Sequence, residues 1–150
     1  MIYCARDMDT IRELFREYQE ELAVDLCFQD FEGELASLPG PYASPQGAVF
    51  LASSDRQVAG CVAFKPLGGE VCELKRLYVR PTFRGRGIAR ALCEHAILGA
   101  KRKGYRMMRL DTLERLESAV RLYKDLDFIE IDPYYDNPLP EPVLFMERAL

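Results

Sequence analysis

Apolar positions early in the chain fall on one helical face: Ile11, Leu14, Phe15, Tyr18 and Leu22 are separated by acidic and other polar residues, which predicts an amphipathic helix. Thr10 followed by Glu13 has the form of a capping box and predicts its start there. Residues 2–5 read as a short strand before it, and residues 28–38 as a second, shorter helix stopped by Leu38-Pro39-Gly40-Pro41. After a Pro-, Ser- and Gly-rich loop to Gly47 the period changes. Two apolar runs, 48–53 and 58–65, flank the polar Ser54-Asp55-Arg56-Gln57 and predict a hairpin. Gly68-Gly69 makes the next turn, and 72–79 forms a third strand closed by Arg80-Pro81.

A helix is predicted over 88–103, a run of small and apolar residues ending in Lys101-Arg102-Lys103, with Gly104 at the expected left-handed cap. Strand 107–111 follows, then helix 116–126 with Ala119, Leu122, Tyr123 and Leu126 on its apolar side. Strands 128–131 and 143–148 close the chain across the Pro-rich segment 133–142. The order β-α-α-β-β-β-α-β-α-β-β has no internal repeat and predicts one α/β domain, residues 1–150, around a mixed sheet.

With 49% hydrophobic and 29% charged residues and no membrane-length apolar run, the composition is that of an ordinary globular domain with no membrane partner. The segment from Met1 to Asp7 lacks the basic start and apolar stretch of a secretory signal, which points to the cytoplasm. The five cysteines, Cys4, Cys27, Cys61, Cys72 and Cys93, are odd in number and contain no C-x-x-C pair, so neither a disulfide framework nor a zinc site is expected. The single His95 lies on a different helix face from Cys93, against a Cys-His nucleophile. A net charge of −4 disfavours general nucleic-acid binding, yet the signs are segregated. Residues 13–34 carry eight carboxylates against Arg16, and residues 75–106 carry ten cations against Glu94. This reads either as one region for an anionic ligand and another for a cationic one, or as two solvated helix faces.

A strand, a Gly-rich turn and a helix start make an anion site, because glycines let successive N–H groups converge where the helix dipole adds positive charge. Arg84-Gly85-Arg86-Gly87-Ile88-Ala89 has this design. It is not a P-loop, which needs Gly-Lys-Ser/Thr, nor a dinucleotide fingerprint, which needs a third small residue where Arg90 stands. Read alone, it is equally a solvated turn or a fragment of an RNA-binding Arg-Gly tract. Preceded by Glu73-Leu74-Lys75-Arg76-Leu77-Tyr78-Val79, however, it resembles the signature Arg/Gln-x-x-Gly-x-Gly/Ala of the GNAT acetyltransferase superfamily. Ala119 to Phe128 is similar to that family's later helix, with its tyrosine and terminal Leu-Gly-Phe, and the likeness covers residues 47–148. Two positions depart: Leu116 stands where many members have an asparagine, and Asp127 replaces the glycine at a point where a left-handed backbone is needed, which Asp tolerates.

The resemblance implies a single-domain GNAT fold, a mixed, mostly antiparallel central sheet flanked by helices with one splayed strand pair. Acetyl-CoA would lie between the strand ending at Val79 and the strand ending at Asp111. Backbone groups near Leu77, Tyr78 and Val79 would pair with its pantetheine amides as an added strand. Amides of Arg84, Gly85, Arg86, Gly87, Ile88 and Ala89 would hold the pyrophosphate, with the Arg84 and Arg86 side chains adding charge. It also implies direct transfer from thioester to amine in a ternary complex, without a metal. An ammonium has no lone pair and a departing thiolate needs a proton, so a base and an acid are required. Glu73 matches the glutamate base of several members, although Lys75 on the same side weakens it or makes the two a plain ion pair. Tyr123 matches the general-acid tyrosine near the cofactor sulfur, its alternative being a core aromatic. His95 reads as a helix residue against the sheet, while Tyr134, Tyr135, Asp136 and Asn137 read as a rigid connection or the border of a substrate pocket. The expected partners are acetyl-CoA and a primary amine of a small molecule or peptide, a cationic one if the acidic helices face it, with a homodimer as a further candidate. The rival reading is a non-catalytic CoA-binding sensor or interaction module.

Overall fold

Asp7, not Thr10, starts the first helix. Its carboxylate accepts the Asp9 amide at 3.0 Å and the Thr10 hydroxyl at 2.6 Å, so α1 (Met8–Leu22) begins ahead of the predicted capping box. The computed structural model describes the backbone of residues 1–150 and every side chain except that of Phe28. The second predicted helix is interrupted: Asp30, at φ 52°, separates a 3-10 turn (Cys27–Gln29) from α2 (Phe31–Ser37).

Otherwise the predicted order is observed, with β1 (Ile2–Cys4), β2 (Ala48–Ser54), β3 (Gln57–Gly68), β4 (Val71–Val79), α3 (Ile88–Arg102), β5 (Met107–Leu113), α4 (Glu117–Asp125), β6 (Ile129–Ile131) and β7 (Val143–Ala149). Seven strands form one sheet in the order β1-β2-β3-β4-β5-β7-β6, antiparallel throughout except between β4 and β5. Successive strand residues point to opposite faces, so each face has its own core. Leu92, Cys93, Ala96 and Tyr123 from α3 and α4 pack with Phe50, Phe64 and Leu110 on one side. Ile11, Leu14, Phe15, Phe31 and Leu35 pack with Leu51, Cys61 and Tyr78 on the other.

The parallel pair β4–β5 holds together only at Val71↔Met107, Cys72↔Met108 and Glu73↔Arg109, and then parts. A bulge lies just beyond the fork: the β3 register jumps from Cys61↔Tyr78 to Ala63↔Lys75, leaving Arg76 and Leu77 opposite Val62. Arg76 takes φ 60°, a costly conformation for a side chain of its size. It is pinned there, its guanidinium giving 2.9 and 3.2 Å bonds to the two oxygens of Glu34 and lying 5.1 Å from the Phe31 ring centre. Asp127 adopts φ 68°, the left-handed turn expected of it.

Candidate functional site

Where β4 and β5 diverge, a cavity of about 90 Å³ opens, lined among others by Lys75, Leu77, Asp111, Leu113, Ala119 and Tyr123. Past Glu73 the β4 edge facing this gap has no partner strand, although the Val79 carbonyl already accepts from Arg84 Nε at 2.9 Å. Tyr123 is 7% exposed, packs edge-on against Phe128 at 5.8 Å, and has no hydrogen-bond partner for its hydroxyl among the described residues. Burial pushes its phenol well above the ordinary value, so the proton stays on at neutral pH. Leu116 presents an apolar side chain to the same gap.

Val79 leads through Arg80 and a 3-10 turn (Pro81–Phe83) into the glycine loop, where Gly85 and Gly87 take φ 77° and 78° and α3 begins at once. The amides of residues 85–90 donate to no acceptor among the described residues, a run of orphan donors at a helix N-terminus. The two arginines are less free than expected. Arg84 bonds to the Val79 carbonyl at 2.9 Å and to Glu21 at 2.6 Å, and Arg86 lies 3.2 Å from Asp55.

These contacts belong to a wider pattern that resolves the charge segregation. Arg80 pairs with Glu17 at 2.8 Å and Glu13 at 3.4 Å, Arg84 with Glu21, Arg76 with Glu34, and Arg16 with Glu32. Four carboxylates of the acidic stretch and three arginines of the basic stretch therefore meet, tying α1 and α2 to β4 and the segment that follows it. Five of the eight carboxylates are thus paired with arginines, which leaves less free acidic surface to draw a cationic acceptor than the sequence suggests.

A second, more open pocket of about 440 Å³ adjoins the gap, lined among others by Lys65, Glu73, Lys75, Tyr134, Tyr135 and Asp136. Gln29 and Lys75 border both spaces. Glu73 is buried; it accepts the Tyr134 hydroxyl at 2.6 Å and lies 3.8 Å from Lys65 and 3.7 Å from Lys75. It lines the outer pocket and not the cavity that Tyr123 lines. The carboxylate in that cavity is Asp111, which accepts the Tyr135 hydroxyl, with Asn137 Nδ2 at 3.5 Å. Sequence reasoning passed over Asp111; its one signal was a carboxylate at the end of the predicted strand 107–111. The Pro-rich segment is thus the pocket wall, tied down by two tyrosines.

Other candidates lie elsewhere. His95 is exposed, 6.2 Å from the Phe50 ring, and is absent from both linings. Cys61, Cys72 and Cys93 are buried thiols pushed up to about 12 by desolvation, which denies them the thiolate form a nucleophile needs. Among the described residues no group of three or more metal-ligating side chains occurs, and no helix is long and apolar enough to cross a membrane.

The fold is one shared with known proteins. The family model of the acetyltransferase (GNAT) family matches residues 8–128. An uncharacterized N-acetyltransferase of Schizosaccharomyces pombe is 43% identical over 92% of this chain and 86% of its own length. Another from Dictyostelium discoideum is 31% identical over 95% and 94%. In fold, the chain is similar to an acetyltransferase from Streptococcus agalactiae (TM-score 0.80, 20% identity, covering 100% of this chain and 98% of that one). It is also similar to a putative acetyltransferase from Salmonella typhimurium solved with its cofactor acetyl-CoA (TM-score 0.78, 20% identity, 99% and 92%).

Proposed function

The chain belongs to the acetyltransferase (GNAT) family, and from that premise we propose that it transfers an acetyl group from acetyl-CoA to a primary amine by direct attack in the gap between β4 and β5. The observation that carries the proposal is the hydroxyl of Tyr123, without a hydrogen-bond partner among the described residues and accessible on the wall of a cavity that begins where the two strands part. The acetyl-CoA in the structurally similar Salmonella protein supports the choice of donor. Acetyl-CoA supplies the activated thioester; the protein supplies position and protons. Orphan amides of residues 85–90 suit its pyrophosphate, and the free β4 edge suits its amides.

Tyr123, held protonated by burial, donates to the departing sulfur. The attacking nitrogen must lose a proton, and Asp111, bordering the same cavity, is placed to take it, with Tyr135 and Asn137 fixing the carboxylate. Glu73 reaches that proton from the outer pocket through water, with Lys65, Lys75 and Tyr134 restraining its charge. A thiol-release screen of amines with acetyl-CoA, with mass spectrometry of the products, tests the reading. Release of CoA with an N-acetylated product supports it, and Asp111→Asn should slow turnover more than Glu73→Gln. Tight CoA binding with no turnover on any amine would instead favour a non-catalytic CoA-binding module.

A further inference from the structure

Lys75 is a buried cation that neither gives nor takes a proton in the transfer chemistry. Its side chain is 8% exposed, yet its ammonium makes one hydrogen bond, 3.1 Å to Gln29 Oε1, while Glu73 Oε1 stands at 3.7 Å, beyond hydrogen-bond reach. An ammonium has three donors, so two are left without a protein acceptor and face the pocket. Lys65 repeats the arrangement, 3.8 Å from the same Glu73 oxygen and with no hydrogen bond among the described residues. The other Glu73 oxygen already accepts from Tyr134. Two ammoniums therefore converge on one carboxylate oxygen without bonding to it, on the wall of a pocket of about 440 Å³. Underpaired buried charge is costly, and it marks a place where a further anion would be welcomed. The lowered pKa of Lys75 agrees: desolvation outweighs the attraction of Glu73, so the present partners do not compensate its burial.

The remaining pocket charges do not cancel this. Glu34 also lines the pocket, but its two oxygens are held by Arg76 and Tyr42, and Asp136 is exposed. Tyr134, Tyr135, Leu67 and Pro138 supply apolar wall in a volume suited to a small molecule. Lys75 borders the Tyr123 cavity as well, so a ligand anchored on it sits at the entrance to the donor gap. We infer that the acceptor is a small amine carrying its own carboxylate, an amino acid being the simplest case, with Lys75 and Lys65 binding that carboxylate while the amine reaches the gap beside Asp111.

This inference rests on the acetyl-transfer reading, and the test separates the two. Common L-amino acids, their α-carboxamides and their decarboxylated amines are compared as acceptors with acetyl-CoA. The amino acids should exceed both analogues in kcat/KM by about ten- to hundredfold, the range of one charged hydrogen bond. Lys75→Met should raise KM for the amino acids and narrow that ratio, and Lys65→Met, on a more exposed residue, should do so in part. Turnover with no preference for the free carboxylate, or Lys75→Met lowering amino acids and carboxamides equally, overturns the inference and leaves acetyl transfer standing. If no amine turns over, calorimetry with the same amino acids decides: binding that weakens in Lys75→Met supports the carboxylate site, and no binding to the wild-type protein refutes it.

Discussion

Tyr123→Phe separates chemistry from packing. The ring is 7% exposed and packs against Phe128, contacts that phenylalanine keeps, while the hydroxyl it removes has no protein partner. Deleting an unbonded hydroxyl breaks no hydrogen bond and orphans no buried acceptor, so unfolding free energy should change by no more than about 0.5 kcal/mol. A general acid contributes about 10²- to 10⁴-fold to rate, so turnover should fall by at least about a hundredfold, near 2.7 kcal/mol of barrier. Binding of CoA should be nearly unaffected, because the orphan amides and the β4 edge are untouched. Thiol release at saturating acetyl-CoA, urea melts and CoA calorimetry on the same preparation read the three quantities. The opposite pattern, normal turnover with a loss of about 1 kcal/mol or more in stability, would make Tyr123 a core aromatic and remove the acid from the mechanism.

Gly87→Glu should abolish CoA binding in calorimetry, because it forces a side chain into a φ of 78° and brings a negative charge beside the orphan amides; undiminished affinity would take the loop out of the cofactor site. Glu34→Ala leaves the Arg76 guanidinium buried without its bidentate partner and should cost about 3–5 kcal/mol in urea melts, whereas a loss under about 1 kcal/mol would mean that Arg76 finds water. Above pH 9 the protein should lose stability steadily. Burial raises the Cys61, Cys72 and Cys93 thiols from 9.0 to about 12, so between those values the native state keeps protons that the unfolded chain releases, at about 1.4 kcal/mol per pH unit per thiol. Melts at pH 8, 9 and 10 check this, and Cys93→Ala should make the slope shallower; an unchanged slope would mean that the thiol ionises in the folded protein.

What was legible in the chain was what leaves a local mark. The apolar runs 48–53 and 58–65, the two glycines ahead of Ile88 and the left-handed Asp127 all appear where their local chemistry puts them. Thr10 misled because Asp7 caps the helix three residues earlier and takes the Thr10 hydroxyl as a donor. The bulge was illegible, since a strand with one extra residue keeps its apolar character and Arg76 carries no glycine to advertise a positive φ. Ion pairs such as Arg84–Glu21 and Arg76–Glu34 join residues 63 and 42 positions apart, so sign segregation along the chain could not reveal that the two signs meet. Asp111 likewise became a candidate only once the fork between β4 and β5 placed it beside Tyr123.

That fork leaves the sheet with an edge on its inside. Exposed strand edges invite pairing with other chains, and proteins usually blunt them with charge, proline or a covering helix. Here the stretches of β4 beyond Glu73 and of β5 beyond Arg109 are not paired with each other, and the cavity between them is enclosed by the sheet rather than at its rim. A ligand that pairs with both edges would complete the sheet, and its occupancy would then add to folding stability in proportion to the logarithm of its concentration over its dissociation constant.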